Sequence, residues 1–233
     1  MRFLSAVKND IRFQIKYGFY FLYAFFSIVY IIALMLTPLD YKPMVASLIV
    51  LTDPAMLGIF FIGGIWLLEK GEGLHQFWCI SPLRPIEYVF AKSISLALIS
   101  TIAAELIALI GMGNKIHFVL LSICVFLGAV IFNLIGLIIA SYAHSVNHYM
   151  MIVVLPTIFL LIPPIVCAFG ITHIFLELFP GTALLHLIVG CIDTTSKVKN
   201  VSWFVLILWL IIISIFAIKR IRIAMQTEGD KVI

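Results

Sequence analysis

Charge is what this 233-residue chain has least of. Asp, Glu, Lys and Arg together make up 11% of it, against 64% hydrophobic residues. At a mean hydropathy of +1.20 it cannot be an ordinary water-soluble domain, in which about 25% of residues are charged. Several chemistries are missing as well. No Gly-x4-Gly-Lys-Ser/Thr stretch is present, so the chain lacks the usual cradle for ATP phosphates. Neither a Gly-x-Ser-x-Gly nucleophile elbow nor a His-Glu-x-x-His zinc motif appears. Cys79, Cys124, Cys167 and Cys191 show no paired spacing, so neither a disulfide nor a cysteine metal cluster is expected. His144 and His148 lie four apart but lack a third ligand nearby, and no metal site is expected there either. With no catalytic constellation in view, the chain does not read as an enzyme.

Long apolar runs are abundant. Six of about 20 residues each, at 18–36, 44–68, 91–111, 118–142, 150–169 and 203–218, are long enough to cross a bilayer. They use up most of the length, so the expected architecture is one all-α membrane domain over 1–233 with six transmembrane helices. The N-terminus lacks a small-residue cleavage pattern, and the first span should be retained. With both termini in the cytosol, Arg2, Lys8, Arg12, Lys16, Lys70, Arg84, Lys92, Lys219, Arg220, Arg222 and Lys231 fall on the cytosolic side. Only Lys42, Lys115, Lys197 and Lys199 fall outside, which sets the orientation in a cell membrane. The net charge of +4 follows from that bias and is no sign of nucleic-acid binding.

Residues 1–17 carry Phe3, Val7, Ile11 and Ile15 at fourfold spacing beside Lys8, Arg12 and Lys16. Such a pattern predicts an amphipathic helix lying in the lipid interface. In the first span Phe19, Tyr23, Phe26 and Tyr30 share one helical face, which fits either helix packing or the lining of a path for flat apolar molecules. Asp53-Pro54 interrupts the second span, where proline kinks a helix and an acid must face protein or water. Glu105 and Asn133 are the other polar groups at depth, read as interhelical hydrogen-bonding positions or as a relay. Pro156 and Pro163-Pro164 exclude a straight fifth span. Residues 171–202 hold an apolar run too short to span, read as a broken, re-entrant or interfacial element on the outer side.

The loop 69–90 is the most informative stretch. It opens with Glu69, Lys70, Gly71, Glu72 and Gly73, then places Leu74, Phe77 and Trp78 on one side of a short helix that Ser81-Pro82 ends. A short amphipathic helix at the membrane surface suits docking into a groove of a soluble partner.

Taken together, the basic interfacial helix, the six spans and the Glu69-Lys70-x-Glu72-Gly73…Ser81-Pro82…Lys92 run resemble the permease subunits of ABC-2-type transporters over essentially the whole chain. Asp53-Pro54 with Gly63-Gly64 through Glu69 is similar to the fluoroquinolone-exporter group among them. The resemblance implies an ATP-driven exporter of an amphipathic drug, peptide or lipid-like substrate. It implies a second permease chain, identical or homologous, and a separate ABC ATPase subunit that holds ATP and Mg, with no cofactor in this chain. Glu69, Glu72, Gly73, Leu74, Phe77, Trp78, Ser81 and Pro82 would form the coupling surface. Charge complementarity suggests that Glu69 or Glu72 pairs with Arg12 or Lys16. The alternatives are the substrate-capturing membrane subunit of a vitamin-type importer and an intramembrane enzyme. The first is disfavoured by the position of the loop, the second by having only Asp53, Glu105 and Asn133 at depth.

Overall fold

A computed structural model describes residues 2–52, 56–75, 78, 83–113, 116–171, 173–193 and 200–229, the last two without their side chains. Every regular element among these residues is helical. The N-terminal segment is helical, with α1 covering Arg2–Lys16. Gly18, at φ 77°, turns the chain into α2, Phe19–Leu36, a conformation that glycine adopts without strain.

The second predicted crossing is not one rod. It is divided between α3, Lys42–Val50, and α4, Leu57–Gly71. A π-type turn at Leu51-Thr52 closes the first piece, and Asp53-Pro54 lie outside the described residues. Next, α5 runs Pro85–Met112 and begins six residues before the apolar run, because Pro85 suits a first helical turn and the Arg84 backbone N–H donates to Glu87 Oε2 at 2.8 Å. Then come α6, Phe118–Ala140, and α7, Val146–Ala168, the latter capped by Ser145 Oγ accepting from the His148 N–H. Despite Pro156, Pro163 and Pro164, α7 stays one continuous helix, with the Thr157 hydroxyl donating to the Val153 carbonyl at 2.8 Å.

A short α8, Ile174–Glu177, leads into α9, Pro180–Ile192, and α10 closes the fold over Asn200–Gly229. Among the described residues, five helices (α2, α5, α6, α7 and α10) are each long and apolar enough to cross a membrane. Of these, α6 is the most enclosed, 67% buried, and sits at the centre against α4, α5, α9 and α10. Much of α2, α7 and α10 is exposed. The segment read as broken, re-entrant or interfacial forms α9, which is almost wholly buried against α3, α6, α7 and α10. Its apolar residues are covered by protein, with the Cys191 carbonyl accepting from the His117 N–H at 3.1 Å.

Close backbone approach holds α4 to its neighbours. A Cβ on Gly136 of α6 would lie 2.6 Å from the Ile59 carbonyl oxygen, so only glycine permits that crossing. Tyr149 of α7 fills the space over Gly63 and donates its hydroxyl to the Ile59 carbonyl.

Candidate coupling site at the junction of α1, α4 and α5

Three helices meet around a buried ammonium. Lys92, two turns into α5, is 1% exposed, and its Nζ lies 2.5 Å from Glu69 Oε1 at the end of α4 and 3.1 Å from Asp10 Oδ1 of α1. Tyr88, one turn before Lys92, donates its hydroxyl to Glu69 Oε2 at 2.7 Å. Both Glu69 oxygens are thus engaged by α5. His75 Nε2 stands 4.0 Å from Glu69 Oε2. Aromatic rings cover the cluster: Trp66 packs on His75 with centroids 4.1 Å apart and on Tyr88 at 5.8 Å, and Trp78 faces Tyr88 at 6.0 Å. The ammonium also sits 4.9 Å from the Tyr88 ring centroid.

Two carboxylates share one ammonium, so the junction carries an excess negative charge when both are ionised. Burial pushes the Asp10 carboxyl up from 3.8 to about 6, against the pull of Lys92 and with a further push from Glu69. Beside it, Gln14 Nε2 donates to Ser95 Oγ at 2.7 Å. The stripe of α1 that faces protein is therefore Ala6, Asp10 and Gln14. Its lysines, arginines and Ile15 face outward, and Phe3, Val7 and Ile11 are only half-buried.

The pairing expected between Glu69 or Glu72 and Arg12 or Lys16 is corrected by this geometry. Arg12, Lys16 and Glu72 are exposed, and α1 offers its acid, not a base, to a cation shared with Glu69. Gly73, at φ 71°, turns the chain out of α4, and Leu74 and Trp78 are half-buried. Phe77, Ser81 and Pro82 lie outside the described residues, as does Asp53.

The other singled-out residues are scattered. Phe19 and Tyr23 are buried against Phe61 of α4, and Tyr23 shares a 2.9 Å hydrogen bond with Ser100. Phe26 and Tyr30 stack on each other and are half-buried. Glu105 accepts from the Ser122 hydroxyl, and the Asn133 amide donates to the Ser93 carbonyl at 3.0 Å. His144 and His148 stack with centroids 5.5 Å apart, and no group of three metal-ligating side chains occurs among the described residues. From the sequence, Asp10 and Gln14 carried no role, His75 and Tyr88 counted only as part of the contact loop that runs from Glu69 to Tyr88, and Lys92 only as the end of its motif. The available signals were a lysine inside an apolar run and the fourfold spacing of Asp10 and Gln14.

Five helices of spanning length and apolar composition, packed around a buried charged junction, define an all-α membrane protein. The family comparison agrees. Residues 1–225 match the fluoroquinolones export permease protein family, and the chain belongs to that family. It is 28% identical over 196 residues to the fluoroquinolones export permease proteins of two strains of Mycobacterium tuberculosis, covering 84% of this chain and 83% of each relative. No solved structure matches. The protein is thus a membrane permease of the export type.

Proposed function

We propose that this chain is the membrane-spanning subunit of an ATP-driven exporter, with both termini in the cytosol and ATP and Mg held by a separate ABC ATPase. The observation that carries the reading is the buried junction of Asp10, Lys92 and Glu69. It ties the interfacial helix and the end of α4 to the start of α5, directly beside the loop at 69–90. A push on that loop moves three helices as one body, because separating them strands a charge out of water. Force enters only if the partner contacts the loop differently in its two states.

The exposed and half-buried part of the coupling set, Glu72, Gly73, Leu74 and Trp78 with Phe77, Ser81 and Pro82, forms the docking surface. Glu69 serves it from behind. A second permease chain, identical or homologous, completes the path, with Phe26 and Tyr30 lining it while Phe19 and Tyr23 brace α2 against α4. The cargo is an amphipathic molecule with a flat aromatic part, the class to which the relatives' names point.

Purification of the wild-type chain from its own membranes in mild detergent is expected to bring down an ATPase with a phosphate-binding loop. The Glu72→Ala, Phe77→Ala variant is expected to lose it while still purifying as a folded permease. An ATPase retained equally by both proteins would remove the loop from the coupling role. Failure to recover any ATPase with the wild type would favour a stand-alone binding protein.

A further inference from the structure

Near the charged junction, the ends of α4 and α10 and the turn between α6 and α7 enclose a pocket of about 190 Å³. Lys70, His75, His144 and Arg220 bring cationic or protonatable groups to it, and Ser141 and Tyr142 close one wall. No carboxylate lines it among the described residues.

Arg220 is held in place before any ligand arrives. Its Nε donates to Ser141 Oγ at 3.0 Å and its Nη2 to the Ser141 carbonyl at 3.4 Å, while the guanidinium stacks 3.7 Å from the Tyr142 ring centroid. These bonds use Nε and Nη2 and leave Nη1 uncommitted. A guanidinium fixed by stacking loses little freedom when it binds an oxyanion, and its fork matches phosphate oxygens. Lys70 adds a point charge from α4. Phe216 and Ile223, about one turn to either side of Arg220, are exposed apolar side chains, suited to lie beside an acyl chain.

We infer that this pocket binds a phosphate group through Arg220 and Lys70, carried by the headgroup of an anionic lipid or by a free phosphate. Basic pockets between helix ends at the cytosolic face suit anionic headgroups. The site shares Lys70 and His75 with the 69–90 loop, but its binding test contains no ATPase, so it can fail or succeed separately from the coupling reading.

The test uses the purified full-length chain, stripped of lipid, in a maltoside detergent. Dioctanoyl phosphatidic acid, dioctanoyl phosphatidylglycerol, dioctanoyl phosphatidylcholine and inorganic phosphate are the probes, read by native mass spectrometry and by the melting temperature. The anionic lipids are expected to bind and raise the melting temperature, and phosphatidylcholine is expected to do neither. Displacement of the lipid by inorganic phosphate identifies a site for free phosphate, and persistence of the lipid identifies a headgroup site. Lys70→Gln with Arg220→Gln should weaken binding by at least about tenfold, while Lys16→Gln on the exposed face of α1 should leave it unchanged.

Equal binding by the double variant and the wild type, or an equal loss in Lys16→Gln, overturns the assignment. Should the double variant not fold, a photoreactive phosphatidic acid on the wild type decides. Crosslinks at Tyr142, Ala143 or His144 support the site. Crosslinks confined to other surfaces, or no binding of any phosphate probe, refute it.

Discussion

At Lys92 one ammonium faces two carboxylates with almost no water, so each partner's removal has a different sign of charge error. Lys92→Met leaves Glu69 and Asp10 buried without their cation, a loss of about 3–5 kcal/mol. Its measurable form is aggregation on size exclusion or a large fall in melting temperature. Adding Glu69→Gln to Lys92→Met should recover part of that fall, since one buried charge is gone and Asp10 takes up a proton. If the double variant falls by the sum of the two single losses, the residues do not act as a unit.

Asp10 gives the junction a pH dependence. Its carboxyl stands at about 6 in the folded protein against 3.8 for an ordinary aspartate. A raised acid favours the folded state fully below about pH 4, and that contribution is lost as pH rises through about 6, up to about 3 kcal/mol. The wild type is therefore expected to melt lower at about pH 7.5 than at about pH 5, and Asp10→Asn to flatten that difference. Profiles of equal slope would place the titration elsewhere. The cluster was half legible in the sequence. Glu69 stood out through its neighbours, but its partner on α1 was sought among the bases, because charge sign alone cannot show that a third residue, Lys92, occupies the space between.

Among the elements, the contact of α4 with α6 depends on a missing side chain. A methyl group on Gly136 meets a main-chain oxygen, which cannot rotate away. Gly136→Ala should therefore cost about 1–3 kcal/mol by forcing the helices apart, seen as a lower melting temperature. Gly64→Ala is the control, since its new methyl would find its nearest neighbour, the Phe19 ring, at 3.9 Å, and it should be nearly silent. Comparable losses in the two variants would mean that helix propensity, and not the close approach, sets the effect. Helix existence was readable from the apolar runs, and α2, α6 and α7 fall close to where hydropathy put them. Two placements were not readable. Hydropathy cannot tell a buried apolar helix from a lipid-facing one, so α9 could be read as either re-entrant or interfacial. Nor does it show that the run at 44–68 is divided into α3 and α4, although Pro54 marked where a break belonged.

For the molecule as a whole, the uneven placement of basic residues and the position of α1 put Glu72 and Leu39 at opposite ends. In a Cys79→Ser background, Leu39→Cys should react with a membrane-impermeant maleimide on intact cells, and Glu72→Cys only after the cells are opened. Cys124, Cys167 and Cys191 are buried and should stay silent. Labelling of Glu72→Cys in intact cells would reverse the topology and with it the proposed ATPase face. Another consequence concerns synthesis. Asp10 and Lys92 are 82 residues apart, and Gln14 and Ser95 are 81 apart. When α1 leaves the ribosome, its polar stripe has no partner, and none exists until the start of α5 has been made and inserted. Although it precedes α5 in the chain, α1 is thus seated only after α5.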